Sequence, residues 1–363
     1  MVMINVLMIG SHSSAKGGIS TVIKQIDGWL KNSDELNYQF ISTYIDKNFI
    51  MKSLYFCDAI FRIKKKISSQ KIDLVHIHMS YKGSYVRKRI LCNIFWKKRI
   101  PTILHIHGSE FKIWYDNLTK RKKEEVKEFL LKQKKVIVLG EEWANFFRGI
   151  DSDINISVIH NAVPIPEETV LWKNESKKIF FSGVLLKRKG IYDLIDAMVI
   201  LKKSNYLKTN CITLKIAGTG EEEVRLKEKV EELGLENHVR FLGWIGDKKE
   251  LEKEILGSTI GVLPSYNEGL PMSLLECMSY GLPMISTNVG SISSVISDSK
   301  NGLLVKPGDV EELALVIEKL LNDQKKWQRY SENSRNTIIR NFDEQKLFTQ
   351  LVLVYQEVSN AKF

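Results

Sequence analysis

The chain has 363 residues, 44% of them hydrophobic and 9% aromatic, enough for two ordinary hydrophobic cores and unlike a disordered or fibrous composition. The formal net charge of +11 is uneven: residues 1–165 carry +12 and residues 166–363 carry −1. No apolar run reaches the roughly 20 residues of a spanning helix, and the opening MVMINVLMIG enters a strand pattern with no basic leader or cleavage site, so a cytoplasmic protein is expected. Cys57, Cys92, Cys211 and Cys277 show no metal spacing, which predicts reduced, mostly buried thiols and no structural metal.

In chain order, strands are expected near 2–9, 37–43, 72–78, 101–107, 135–139 and 155–160, alternating with amphipathic helices, the pattern of a parallel doubly wound sheet. GSHSSAKGGIST (10–21) follows the first strand and opens a helix. There Gly17 and Gly18 let backbone approach an anion, although neither the GxxxxGK[ST] nor the GxGxxG order is present. NAVPIPEET (161–169) carries two prolines and reads as a hinge. Alternation then resumes with strands near 178–182, 212–217, 239–242, 259–263, 283–286 and 303–305. The expected fold is therefore α/β, with two Rossmann-like domains and a cleft between them.

Three strand-to-helix turns in the second half suit a phosphorylated ligand. FFSGVLLKRKG (180–190) sets Lys187, Arg188 and Lys189 before a helix starting near Ile191, placed to clamp a diphosphate. AGTGEE (217–222) brings Gly218 and Gly220, able to pass backbone against a base. NEGLPMSLLEC (267–277) sets Glu268 and Glu276 eight positions apart. Pro271 reads as the first residue of a helix of about ten residues and Gly281 as the glycine just past its end, which leaves Glu268 in the preceding loop and Glu276 inside the helix.

Together these residues resemble the retaining glycosyltransferases of glycosyltransferase family four, which have the GT-B fold with two parallel sheets facing across a cleft. The resemblance lies in SYNEGLPMSLLECMSYGLPMI (265–285), TNVG (287–290), NGLLV (301–305), RKG (188–190), AGTG (217–220) and HIHGSEF (105–111), and runs through nearly the whole chain. It implies an acceptor-binding domain at 1–165, a nucleotide-sugar-binding domain at 166–342, and a C-terminal helix at 343–363 packing back on the first. Glu276 would bind the donor ribose. The N–H groups around Gly269 and Leu270 would take phosphate, with Pro271 beside them in the donor site, Glu268 on the sugar side and His107 at the transferred sugar. His105 is expected to be a satisfied structural histidine, as are His76 and His78. A metal could be held by four histidines, but the family binds its diphosphate without one, so neither metal nor cofactor is expected. Val184 stands where the family often has arginine, which shifts charge compensation to Lys189 and Arg188.

The function implied is metal-independent, retaining transfer from a nucleotide-sugar, expected to be a UDP-sugar, to a glycan or lipid-linked acceptor in polysaccharide synthesis such as that of lipopolysaccharide or capsule. A nucleotide-sugar epimerase of related fold is the alternative. The basic first half could also suggest nucleic acid, but no nucleic-acid motif accompanies it. Segments 51–67 and 84–99 mix aromatic and aliphatic residues with dense Lys and Arg, which suggests a peripheral position on an anionic membrane.

Overall fold

The computed structural model describes residues 3–12 and 18–360. It divides into two compact units, Met1–Asn161 with Gln345–Phe363, and Ala162–Glu344. Each holds one six-stranded parallel sheet.

In the first unit the strands are β1 (Ile4–Gly10), β2 (Leu36–Ser42), β3 (Leu74–Met79), β4 (Thr102–Ile106), β5 (Lys135–Val138) and β6 (Ile156–Val158), in the order β2-β1-β3-β4-β5-β6. β3 to β5 are buried along their whole length, as expected of parallel strands covered on both faces. One face packs Leu7, Ile9, Val75, Ile77, Leu104 and Ile106 against Leu91, Phe95 and Phe147 from the crossover helices. The helix Glu344–Asn360 also belongs to this unit. Its Phe348 stacks on Trp29 of the helix Gly18–Leu30 at 4.1 Å between ring centroids, and its Tyr355 reaches β3.

The second unit contains β7 (Lys178–Ser182), β8 (Thr213–Ala217), β9 (Val239–Gly243), β10 (Ile260–Leu263), β11 (Met284–Thr287) and β12 (Gly302–Val305), in the order β12-β11-β10-β7-β8-β9. The chain runs outward from β7 in one direction, then returns to its other side to begin again at β10. β7 and β10 therefore flank a topological switch point, the place where ligands bind at the carboxyl ends of open parallel sheets. In the first unit the corresponding point lies between β1 and β3.

Candidate active site

At the switch point of the second sheet, the loops after β7 and β10 are laced together. Lys187–Lys189 form a single 3₁₀ turn closed by Gly190 at φ +66°, where any Cβ would sit 1.9 Å from the Pro264 carbonyl oxygen. Tyr266 N–H donates to the Arg188 carbonyl at 2.8 Å, and Arg188 Nη1 donates to the Asn267 carbonyl at 3.2 Å. This brings Lys189 Nζ to 2.5 Å from Glu268 Oε1, and the Ser265 hydroxyl donates to the same oxygen at 2.8 Å. The two charged groups singled out separately in the sequence are thus one buried ion pair, with Ser265 as its third member. Ser265 was missed, although it lies three residues before Glu268 in the quoted motif.

The Glu268–Gly269 peptide is held from behind. Gly290, at φ +55°, approaches so closely that a Cβ would lie 2.0 Å from the Glu268 carbonyl oxygen, and Ser291 N–H donates to the Gly269 carbonyl at 2.8 Å. The Gly269 N–H has no acceptor among the described residues, so it remains available to an anion. Pro271 proves to be the cap residue rather than the first helical one: its ψ of 124° is extended, and the helix is Met272–Ser279, shorter than expected. Gly281 has the expected left-handed conformation, at φ +75°. Glu276 is the fifth residue of this helix and half-buried. Burial pushes its carboxyl up to about 7 against the pull of Lys248, and the side chain has no hydrogen-bond or ion-pair partner among the described residues.

Gly218 and Gly220 have a structural reason of their own. A Cβ at Gly218, φ +147°, would lie 1.9 Å from the Gly183 carbonyl oxygen, and one at Gly220 would lie 2.3 Å from that of Leu185. These glycines let the turn after β8 press against the turn after β7, where Gly183 N–H donates to Ala217 and Leu185 N–H donates to Thr219. Gly18 opens the helix Gly18–Leu30, whereas Gly17 lies outside the described residues.

In the first unit, β3 and β4 run parallel with His78 opposite His105, so the alternation of the strands places His76, His78, His105 and His107 on one face. His76 Nδ1 bonds the Tyr355 hydroxyl at 2.7 Å, and its Nε2 meets His105 Nδ1 at 3.2 Å. His78 Nδ1 meets His107 Nε2 at 2.8 Å, and its Nε2 meets Met8 Sδ at 3.2 Å. All four rings are buried, and burial lowers every imidazole pKa, to about 3 for His76 and His107, so all are neutral at pH 7.

Neutrality fixes a tautomer. A thioether only accepts, so His78 Nε2 carries the proton and its Nδ1 is a lone pair. His107 must then donate from Nε2, which leaves its Nδ1 as an acceptor with no partner among the described residues. His105 is not fully satisfied as expected, because its buried Nε2 has no partner. Nitrogens of His76, His78 and His105 lie within 4.8 Å of one another, close enough to hold a metal ion. All but that one already bond another imidazole, the Tyr355 hydroxyl or the Met8 thioether, so the arrangement is a hydrogen-bonded ladder rather than a convergent set of free ligands. The cysteines also depart from expectation: Cys92 and Cys277 are buried, but Cys57 and Cys211 lie on the surface.

Two parallel α/β units with a charged pair at the second switch point define a GT-B protein. Residues 32–166 match Glycosyltransferase Family 4 and residues 167–337 match Glycosyl transferases group 1, so the chain belongs to this glycosyltransferase family. An uncharacterized glycosyltransferase of Haemophilus influenzae is 30% identical over 55% of this chain, which spans about half of that relative's length, 55%. A protein in the cps region of Klebsiella pneumoniae is 26% identical over 81% of each chain. Among solved structures, the sucrose-phosphate synthase of Thermosynechococcus elongatus superposes with a TM-score of 0.83 at 18% identity, over 99% of this chain and 100% of that one. Anabaena HepE in complex with UDP gives 0.76 at 16%, over 98% and 100%.

Proposed function

We propose that the protein transfers a sugar from a UDP-sugar to a saccharide or lipid-linked acceptor in cell-surface polysaccharide synthesis, with retained anomeric configuration and no metal. The observation that carries this reading is Glu276: a half-buried carboxylate, unpartnered among the described residues, one turn into a helix whose approach loop carries Glu268 of the Lys189–Glu268 pair. Two ribose hydroxyls would satisfy its lone pairs. The Gly269 N–H and the Lys189 and Arg188 cations then stabilise the departing diphosphate, the work a divalent cation does elsewhere. Glu268 stabilises positive character at the anomeric carbon, and His107, its Nδ1 an acceptor, takes a hydrogen bond from a sugar hydroxyl. HepE's complex with UDP and the cps location of the Klebsiella relative support the choice of donor and pathway.

The helix Phe49–Ser69 supports a peripheral membrane position. Only Ala59 and Ile63 are buried in its 21 residues, while Phe49, Ile50, Leu54 and Phe61 are 61–83% exposed beside Arg62 and Lys64–Lys66. The segment 84–99 contributes less than its composition suggested, since Tyr85, Leu91, Cys92 and Phe95 of the helix Gly83–Lys97 enter the core.

Incubation with UDP-, GDP- and ADP-sugars and a panel of saccharide acceptors tests the reading. It expects UDP release coupled to an acceptor product of retained configuration, undiminished by EDTA. A product of inverted configuration, activity lost to EDTA and restored by Mn²⁺, or an isomerised nucleotide-sugar with no acceptor would each overturn it, the last in favour of an epimerase.

A further inference from the structure

We propose that Arg87 and Lys88, the latter positioned by the Thr43 hydroxyl, bind a phosphate group carried by the acceptor. The proposal rests on the glycosyltransfer reading for the word acceptor, but the site itself stands on the geometry of the first unit alone.

Thr43 follows β2, and both its N–H and its hydroxyl donate to the Gly10 carbonyl at the end of β1, so it marks the carboxyl edge of the sheet beside the switch point. Lys88, only 3% exposed, reaches across from the helix Gly83–Lys97 to donate from Nζ to the Thr43 hydroxyl, its one hydrogen-bond partner among the described residues. Arg87, one residue earlier, lays its guanidinium over the Tyr44 ring at 4.8 Å, with its Nε buried and unpartnered. Neither residue makes an ion pair among the described residues. Asp46, which accepts from the Tyr44 hydroxyl at the surface, is already paired with Lys52 at 3.4 Å. Two adjacent cations without a counter-charge, one of them sealed in, are costly unless an anion answers them. The desolvation shows: burial and Arg87 lower the Lys88 ammonium to about 7, and no carboxylate raises it.

A phosphate supplies what is missing. Its oxygens can take the spare Lys88 protons and the planar Arg87 donors, while the Thr43 hydroxyl, whose one proton goes to the Gly10 carbonyl, holds the Lys88 ammonium in place. The field of Lys88 also reaches His78, the partner of His107, so an anion here lies near the ladder that ends at the candidate sugar contact of this unit. A sugar phosphate and a prenyl phosphate share the chemistry, and both fit an acceptor.

Calorimetric titration of wild type, Lys88→Met, Arg87→Met and the double variant Lys189→Met/Glu268→Gln with inorganic phosphate, a hexose 1-phosphate and a short-chain prenyl phosphate tests the site. Binding should survive the double variant, which removes only the donor-side pair, and weaken at least about tenfold in both Lys88→Met and Arg87→Met. Lys88→Met should melt no lower than wild type, since it removes an uncompensated buried charge. The tighter of the two esters identifies the source of the phosphate. Wild-type binding in Lys88→Met overturns the site, even if transfer to a phosphate-free saccharide is normal. Conversely, Lys88-dependent phosphate binding in a protein that transfers no sugar overturns the glycosyltransfer reading and leaves the site standing.

Discussion

At the scale of single residues, Glu276 combines a binding role with a folding cost. Its carboxyl, near 4.3 when unfolded, is pushed up to about 7 in the folded chain. The folded state therefore holds the extra proton between those values. The stability contributed by this group is complete below about pH 4 and is lost as pH rises through about 7. The donor needs the anion, so nucleotide-sugar affinity should rise over the same interval. Glu276→Gln should flatten that pH dependence and weaken the donor by about 1.5 to 3 kcal/mol at pH 8, the range for hydrogen bonds to a charged group. It should not lower the melting temperature. Calorimetry across pH reads both, and a pH-independent wild-type affinity would remove Glu276 from the donor site. The Lys189–Glu268 pair behaves oppositely, because each partner leaves the other buried and uncompensated. Lys189→Met alone should cost about 3 to 5 kcal/mol of stability. The double variant Lys189→Met/Glu268→Gln should recover most of that stability and none of the turnover, separating the pair's structural role from its chemical one.

At the scale of elements, the strands were readable because buried parallel strands and amphipathic helices leave strong period signals, and all twelve lie where the alternation put them. Less readable was what a glycine is for. Gly218 and Gly220 spare a Cβ for a neighbouring loop, a reason that stands beside the suggested approach to a base and could not be read locally, since a missing Cβ looks the same in both cases. Pro271 was placed one position too far inside its helix, since its fixed φ of −72° serves a cap as well as a first turn. The two His-x-His pairs were legible as one face of each strand. Their mutual register was not, because strand partners are chosen by long-range packing that no local pattern records. That register sets a tautomer through Met8, which lies opposite His76 on β1. Nitrogen-15 spectra of the neutral rings should show His78 and His107 both protonated at Nε2. Met8→Leu keeps the volume but removes the acceptor, so His78 should shift toward the Nδ1–H form and turnover should fall while donor affinity holds. An unchanged tautomer in that variant would separate Met8 from the ladder.

At the scale of the whole molecule, charge and exposed apolar surface coincide. The +12 of residues 1–165 is largely solvated, and the first unit bears the helix Phe49–Ser69, whose first ten residues bury no side chain. Such a helix gains little from the fold that carries it, since tertiary burial is what ordinarily stabilises a helix of this kind. An interface gives it an apolar partner for Phe49, Ile50, Leu54 and Phe61, and an anionic headgroup layer for Arg62 and Lys64–Lys66. No described helix is long and apolar enough to cross a membrane. The two contributions separate by salt. Flotation with vesicles containing anionic lipid should recover the protein at low ionic strength and lose part of it as salt screens the lysines, while the part held by apolar burial persists. Replacing Phe49, Ile50 and Leu54 together with Ser should remove that salt-resistant fraction and leave UDP-sugar binding unchanged, because the proposed donor-binding loops belong to the other unit. Equal flotation of the triple variant would mean that charge alone holds the protein to the vesicle, and no flotation of the wild type at low salt would mean that this helix faces something other than lipid.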